Sequence, residues 1–223
     1  MVKLNLITAP TYTDFMSVNT VKDFLRVDWT AEDTLIGNLL QAGYQVAENY
    51  CNSSFLQTEY TLPMENWSDV YVSNHSTQSL SNGNFITRGG YVGKDGLVQI
   101  YLPLAPLVKV THLKYYDSSG VQQTFSDSDY SVNTFLNQKG FIEINDGVNL
   151  PTLDDRADAI EIKFTAGYGD DSDDNGGTAS IPEPIKTAVL LIIGRMFEVR
   201  EDSVSRLPKA SEYLLDPYRF KTY

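Results

Sequence analysis

The fold turns on Thr30-Ala31-Glu32-Asp33-Thr34-Leu35-Ile36-Gly37-Asn38-Leu39-Leu40-Gln41-Ala42-Gly43-Tyr44-Gln45-Val46-Ala47-Glu48-Asn49-Tyr50-Cys51 and on the change of period just after Cys51. Leu35, Leu39, Gly43, Val46 and Tyr50 recur at helical spacing, and Ile36, Leu40 and Ala47 widen the stripe. Thr30 with Asp33 three residues on reads as a capping box, and early acidic residues suit the helix dipole. Asn52-Ser53-Ser54 is turn chemistry, so the helix ends near Cys51. Around Leu35–Leu40 both faces are apolar, more than one packing partner requires.

Upstream, Val21–Val27 reads as a shorter helix that Asn19 or Thr20 can cap, with Asp23 at capping-box distance from Thr20. Downstream, strand patterns take over. Phe55–Leu62, Leu97–Leu102, Val108–Tyr116 and Val121–Phe125 read as strands, the last two joined by the turn Asp117-Ser118-Ser119-Gly120. Tyr130–Val132, Phe141–Ile144 and Ala159–Ala166 continue the run. Residues 63–95 are polar and read as long loops with one hairpin at Phe85-Ile86-Thr87. Helical spacing returns after Pro182 and Pro184, which fit a first turn. Ile185, Ala188, Val189, Leu191, Ile192 and Met196 form a wide stripe that Leu190 and Ile193 widen further. Pro208 opens a last helical turn, which Pro217 stops. The expected class is α+β: a helical unit of residues 1–54 plus 178–223, with a β-rich unit of residues 55–177 inserted into it.

Composition narrows the function. The chain has 223 residues, 42% apolar and 12% aromatic, enough to bury a core. Its formal charge of −12 argues against a protein that grips nucleic-acid phosphates, which takes clustered Lys and Arg. No Lys or Arg occurs between Arg26 and Arg88, whereas Asp28, Glu32, Asp33, Glu48, Glu59, Glu65 and Asp69 do. A single cysteine, Cys51, excludes an intrachain disulfide and a cysteine-based zinc site. No secretory signal and no apolar run near the roughly 20 residues of a membrane span is visible, so a soluble protein of a reducing compartment is expected.

Catalytic patterns are sparse. His75 and His112 are the only histidines, and no G-x-S-x-G elbow accompanies them, so neither is expected to be catalytic. Cys51 has no evident base and reads as a buried small apolar residue. Gly89-Gly90-Tyr91-Val92-Gly93-Lys94 lacks Walker spacing. Asp171-Ser172-Asp173-Asp174-Asn175-Gly176 matches the start of a calcium loop, with Asp171, Asp173 and Asn175 as ligands. The twelfth position is Pro182 instead of Glu, and no helix precedes the loop, so a solvated acidic loop is the preferred reading. No cofactor is expected.

Taken in order, several segments resemble the head–tail connector (adaptor) proteins of tailed bacteriophages. They are Val21-Lys22-Asp23-Phe24-Leu25-Arg26-Val27-Asp28, Ala31–Ile36, Ala47–Tyr50, Leu102-Pro103-Leu104-Ala105-Pro106-Leu107 with Val110 and Tyr115-Tyr116-Asp117, Asp129–Val132, Phe164–Gly169, Ile181–Lys186, Glu198–Glu201, and Leu214-Leu215-Asp216-Pro217-Tyr218-Arg219. The stretches 65–95 and 170–180 are longer than the usual pattern. The resemblance implies a non-enzymatic virion protein, made in the host bacterial cytoplasm. It would form a ring, commonly of twelve subunits, under the portal protein, extend the DNA channel, and dock the next neck or tail-completion protein. It also implies a C-terminal segment that reaches the portal, here Arg206, Tyr213, Leu214, Leu215, Tyr218, Arg219, Phe220 and Tyr223, for which the alternative is a frayed tail.

A ring needs one helix face for its own subunit and another for the neighbour. Leu35, Ile36, Leu39, Leu40, Leu190, Ile193 and Phe197 are the expected subunit interface. DNA should pass unbound, since lumen carboxylates repel phosphates. Glu32, Asp33 and Glu48 are candidates for that lining, or for a merely solvated acidic surface. A different class, a β-rich carbohydrate- or calcium-dependent tail accessory module, would use Trp67, Tyr71, Tyr91 and the acidic loop.

Overall fold

The computed structural model describes residues 4–7, 10–67, 91–92, 98–134, 139–169, 180–199 and 207–220. The class is α+β. Helices α1 (Tyr12–Phe15), α2 (Val18–Leu25), α3 (Asp33–Cys51), α4 (Glu183–Glu198) and α5 (Lys209–Leu215) flank, in sequence, all the strands but the first. The strands are β1 (Asn5–Leu6), β2 (Thr58–Met64), β3 (Tyr91–Val92), β4 (Val98–Tyr101), β5 (Leu107–Tyr116), β6 (Gln122–Thr124), β7 (Tyr130–Asn133), β8 (Phe141–Ile144) and β9 (Ile160–Ala166).

Among the described residues, two antiparallel sheets, ordered β1-β2-β9-β5-β6 and β3-β4-β8-β7, face one another. Alternation along β9 explains the register. Ile160, Ile162, Phe164 and Ala166 point inward, while Glu161 and Lys163 point out. Their inward side chains meet Leu62 and Met64 of β2 and Ile100, Ile142 and Ile144 of the smaller sheet in one core. A second core, built from α1–α5, contains Phe15, Val21, Ile36, Leu40, Tyr44, Ile185, Val189, Ile192 and Leu215.

The two units interlock at the chain crossing. Phe55 and Tyr168, which adjoin the strands, bury their rings in the helical core. Asn5–Leu6 does the reverse and adds an edge strand to the β unit, pairing Leu6 with Tyr60. The N-terminal segment thus contributes to both cores, a strand to one and helices to the other.

Local starts differ from expectation where a better partner is available. Ser17 caps α2 through Oγ, which accepts Thr20 N–H at 3.1 Å, so the helix begins at Val18. It ends at Arg26, in the left-handed region with φ 57, leaving Val27 outside. The box at Thr30 does not form, because Lys22 Nζ donates to Asp33 at 2.6 Å and takes its carboxylate toward α2. The first turn of α3 therefore starts at Asp33, while its end at Cys51 is as expected, with Asn52 at φ 53. The Phe85–Thr87 hairpin lies outside the described residues.

Candidate interaction surfaces

The helical unit has a filled inner face and a partly open outer one. Ile36, Leu40 and Ile193, expected at a subunit interface, are fully buried inside the protomer. The reason is the close approach of α3 and α4: a Cβ on Gly43 would stand 2.9 Å from Ile193 Cγ1. These three residues are corrected to the protomer's own core.

Leu35 remains 39% exposed, and Leu39, Leu190 and Phe197 are half-buried at the margin of that core. Leu190, Gly194 and Phe197 share a face of α4. Phe24, at the end of α2, lies across this face at Gly194, where an added Cβ would be 3.2 Å from its ring. Phe24 is itself 43% exposed, and Trp29, between α2 and α3, is 55% exposed. Sequence reading missed both aromatics because a helix-by-helix periodicity does not register a residue that crosses onto another helix.

The acidic candidates separate as well. Glu48 is not a lumen residue. Its Oε1 accepts Tyr44 O–H at 2.6 Å and Phe55 N–H at 2.7 Å. Leu56 N–H donates in turn to Tyr44 Oη at 3.1 Å. Burial pushes the Glu48 carboxyl above its ordinary value, against the lowering effect of these donors, and burial likewise raises the Tyr44 phenol far above its own. Asp33 is paired with Lys22, and Glu59 with Lys163 at 3.0 Å. The cation-free stretch of sequence is thus partly neutralised in space by lysines from outside it. Glu32 is half-buried at the N-cap of α3, and Asp28, between α2 and α3, is exposed.

The C-terminal segment is neither free nor frayed over its described part. Leu215 and Ser211 are fully buried, Ser211 Oγ donating to Ala188 O at 3.2 Å. Leu214 and Tyr218 pack at the margin of the helical core. Leu215 is therefore corrected from a docking residue to a core residue, because α5 needs one inward anchor. Tyr213, two residues earlier, is 81% exposed. Arg219 places its guanidinium 4.7 Å from the centre of the Tyr50 ring, and Phe220 N–H donates to Cys51 O at 2.8 Å. Arg206 and Tyr223 lie outside the described residues.

Other candidates carry less. His112 Nε2 is 3.0 Å from Glu161 Oε1 on the sheet, whereas Cys51 sits in the helical core with its thiol pushed up to about 12 by burial. These do not form a nucleophile–base pair. Trp67 packs on Phe125 and Tyr115 and donates Nε1–H to Pro151 O at 3.1 Å, so its ring is a lid on the β core. Trp67 is thereby engaged in the protomer's own packing on one side of its ring. His75, Tyr71, the glycine-rich Gly89–Lys94 stretch and the acidic Asp171, Asp173 and Asn175 lie outside the described residues, as does the side chain of Tyr91. Among the described residues, no cluster of three His, Cys, Asp or Glu could hold a metal, and no helix is long and apolar enough to cross a membrane.

Over the described residues, the fold so defined is a five-helix unit joined to a nine-stranded sandwich. No protein-family profile and no curated sequence matches the chain. Solved structures do match its fold over nearly its whole length. A chain of the neck of an empty gene transfer agent (GTA) particle, computed with C6 symmetry, is 22% identical, with TM-score 0.70 over 99% of this chain and 97% of the other. A chain of the native gene transfer agent virion gives 22% identity and TM-score 0.69, over 99% of this chain and 96% of the other. A chain of the native GTA neck computed with C12 symmetry gives 21% identity and TM-score 0.66, over 99% and 97%.

Proposed function

We propose that this chain is a structural, non-enzymatic neck protein of a tailed phage or phage-like particle. It acts as a connector that forms a homo-oligomeric ring, twelve-fold in the simplest reading, between the portal and the next neck or tail-completion protein. The observation that carries this reading is the whole-chain likeness in fold to chains of symmetric GTA necks. It is supported by the second, partly open apolar face of the helical unit.

In this reading the neighbour covers Leu35, Leu39, Leu190 and Phe197, with Phe24 and Trp29 added as aromatic anchors. The contact is heterologous: this corner meets a different surface on the next copy, and equal rotations close the ring. The net charge of −12 keeps the ring from holding the DNA it passes, with Asp28 and Glu32 the acidic residues nearest that corner in sequence. Tyr213 and the segment after it face the portal.

The test is reconstitution of the purified chain with its portal protein, imaged by electron microscopy. A second ring stacked coaxially under the portal is the expected result. Particles whose neck contains no density for this fold overturn the reading.

A further inference from the structure

Beyond α5, residues 216–220 turn back over the last turn of α3. Tyr50 O–H donates to Asp216 Oδ1 at 2.7 Å, and the Arg219 guanidinium lies over the same ring. Phe220 is held at both backbone atoms: its N–H donates to Cys51 O at 2.8 Å, and its carbonyl accepts Asn52 Nδ2–H at 3.4 Å.

The two halves of this C-terminal segment are attached by different physics. In α5, Ser211 and Leu215 are fully buried, and Leu215 belongs to the helical core. After it, Asp216, Pro217 and Arg219 are exposed, Phe220 is half-buried, and Tyr218 is half-buried at the margin of the helical core. Surface polar contacts, an exposed cation–ring contact and one half-buried ring at the core margin are individually weak and can break locally, whereas fully buried apolar contacts break only with their core.

We propose that residues 216–220 form a latch, closed on the end of α3 in the free chain, which opens at Leu215–Asp216 while α5 stays seated. Opening releases the Tyr218, Arg219 and Phe220 side chains and the Phe220 backbone pair for a partner. The closed state occupies those groups, so it lowers apparent affinity by the fraction of molecules that are open. The latch is thus autoinhibitory. Only the identity of the partner, the portal, rests on the function proposed above.

Hydrogen exchange on the full chain tests the opening, using three probes: Phe220 N–H, bonded to Cys51 O; Glu212 N–H, bonded to Pro208 O within α5; and labelling of the buried Cys51 thiol, whose Sγ is 3.8 Å from Leu215 O. After correction for intrinsic rates, Phe220 is expected to exchange at least about tenfold faster than Glu212, with Cys51 labelling following the slower probe. Tyr50→Phe with Asn52→Gly removes two latch donors, while keeping the ring beneath Arg219 and a residue at ease at φ 53. This variant should accelerate Phe220 alone and bind purified portal more tightly than the wild type.

One common rate for all three probes overturns the latch, since the whole segment would then leave as a unit. Equal portal affinity of variant and wild type overturns the autoinhibition. Separate rates with no portal binding by either chain leave the latch standing and remove the portal as its partner.

Discussion

Glu48 Oε1 accepts the backbone N–H of Phe55 at 2.7 Å, so the last turns of α3 hold the residue that carries the chain into the sandwich. The same oxygen takes the Tyr44 phenol, whose own oxygen receives Leu56 N–H. One carboxylate thereby organises the crossing between the two units. Glu48→Ala strands two buried donors and is expected to cost about 3 kcal/mol in urea unfolding. Glu48→Gln keeps an oxygen for both donors and removes the buried charge. Because burial raises the folded carboxyl above its ordinary 4.5, the contribution of Glu48 to stability is full below that value and is lost as pH rises through the folded pKa. The Gln variant should therefore gain on the wild type between acid and neutral pH. A difference that does not change with pH would contradict a buried, charged Glu48.

Gly167 has φ +130, and a Cβ there would lie 2.1 Å from Leu56 O, next to its own bond from N–H to Pro106 O. Both backbone strain and collision with main chain oppose any side chain. Gly167→Ala should cost about 4 kcal/mol or prevent folding, read by thermal melting and near-UV circular dichroism. A variant that melts like the wild type would mean that the backbone at Leu56 can shift freely.

Ile36 and Leu35 are adjacent in sequence and opposite in fate: Ile36 is fully buried, whereas Leu35 is 39% exposed. Leu35→Glu and Trp29→Ser are expected to melt within about 0.5 kcal/mol of the wild type, yet fail to form the ring with portal. Ile36→Glu buries an unpaired charge and should not fold. Rings formed normally by both surface variants would move the subunit contact elsewhere.

Trp67 closes the β core against Phe125 and Tyr115. Trp67→Ala should lose about 3 kcal/mol of stability, with emission of the native protein then coming from Trp29 alone. Retained stability together with a lost glycan affinity would revive the accessory-module reading.

Tyr50 is held protonated by its hydrogen bond to Asp216, the main cause of its raised pKa, with Asp216's charge adding to it and Arg219 opposing. What this bond contributes is complete below the ordinary value of 10.0 and is lost as pH rises through the folded pKa. Asp216→Asn should bring the Tyr50 titration, followed by NMR of its ring, back down toward 10.0. An unchanged titration would show that Asp216 is not the residue that holds it.

Periodicity and turn chemistry determined the main elements: the long helix ending at Cys51, the helix after Pro182, the hairpin around Asp117–Gly120 and the strand over Ala159–Ala166. These signals are local, since a helix face or a strand face repeats within the segment that forms it. Periodicity also determined that two helices carry more apolar surface than one packing contact uses. The assignment of individual side chains to the inside or the outside was decided only by tertiary structure. Leu35 and Ile36 are both large aliphatic side chains, and Gly43, by admitting Ile193, settles which side of α3 is closed. Glu48 reads as one more acid in an acidic stretch until Phe55 and Tyr44 converge on it. Asp33 loses its cap because Lys22 reaches it from another helix, and the C-terminal segment is tethered because the end of α3 lies beneath it. In each case the deciding partner is distant in sequence or on another element, and which partner wins depends on the three-dimensional distance that folding sets.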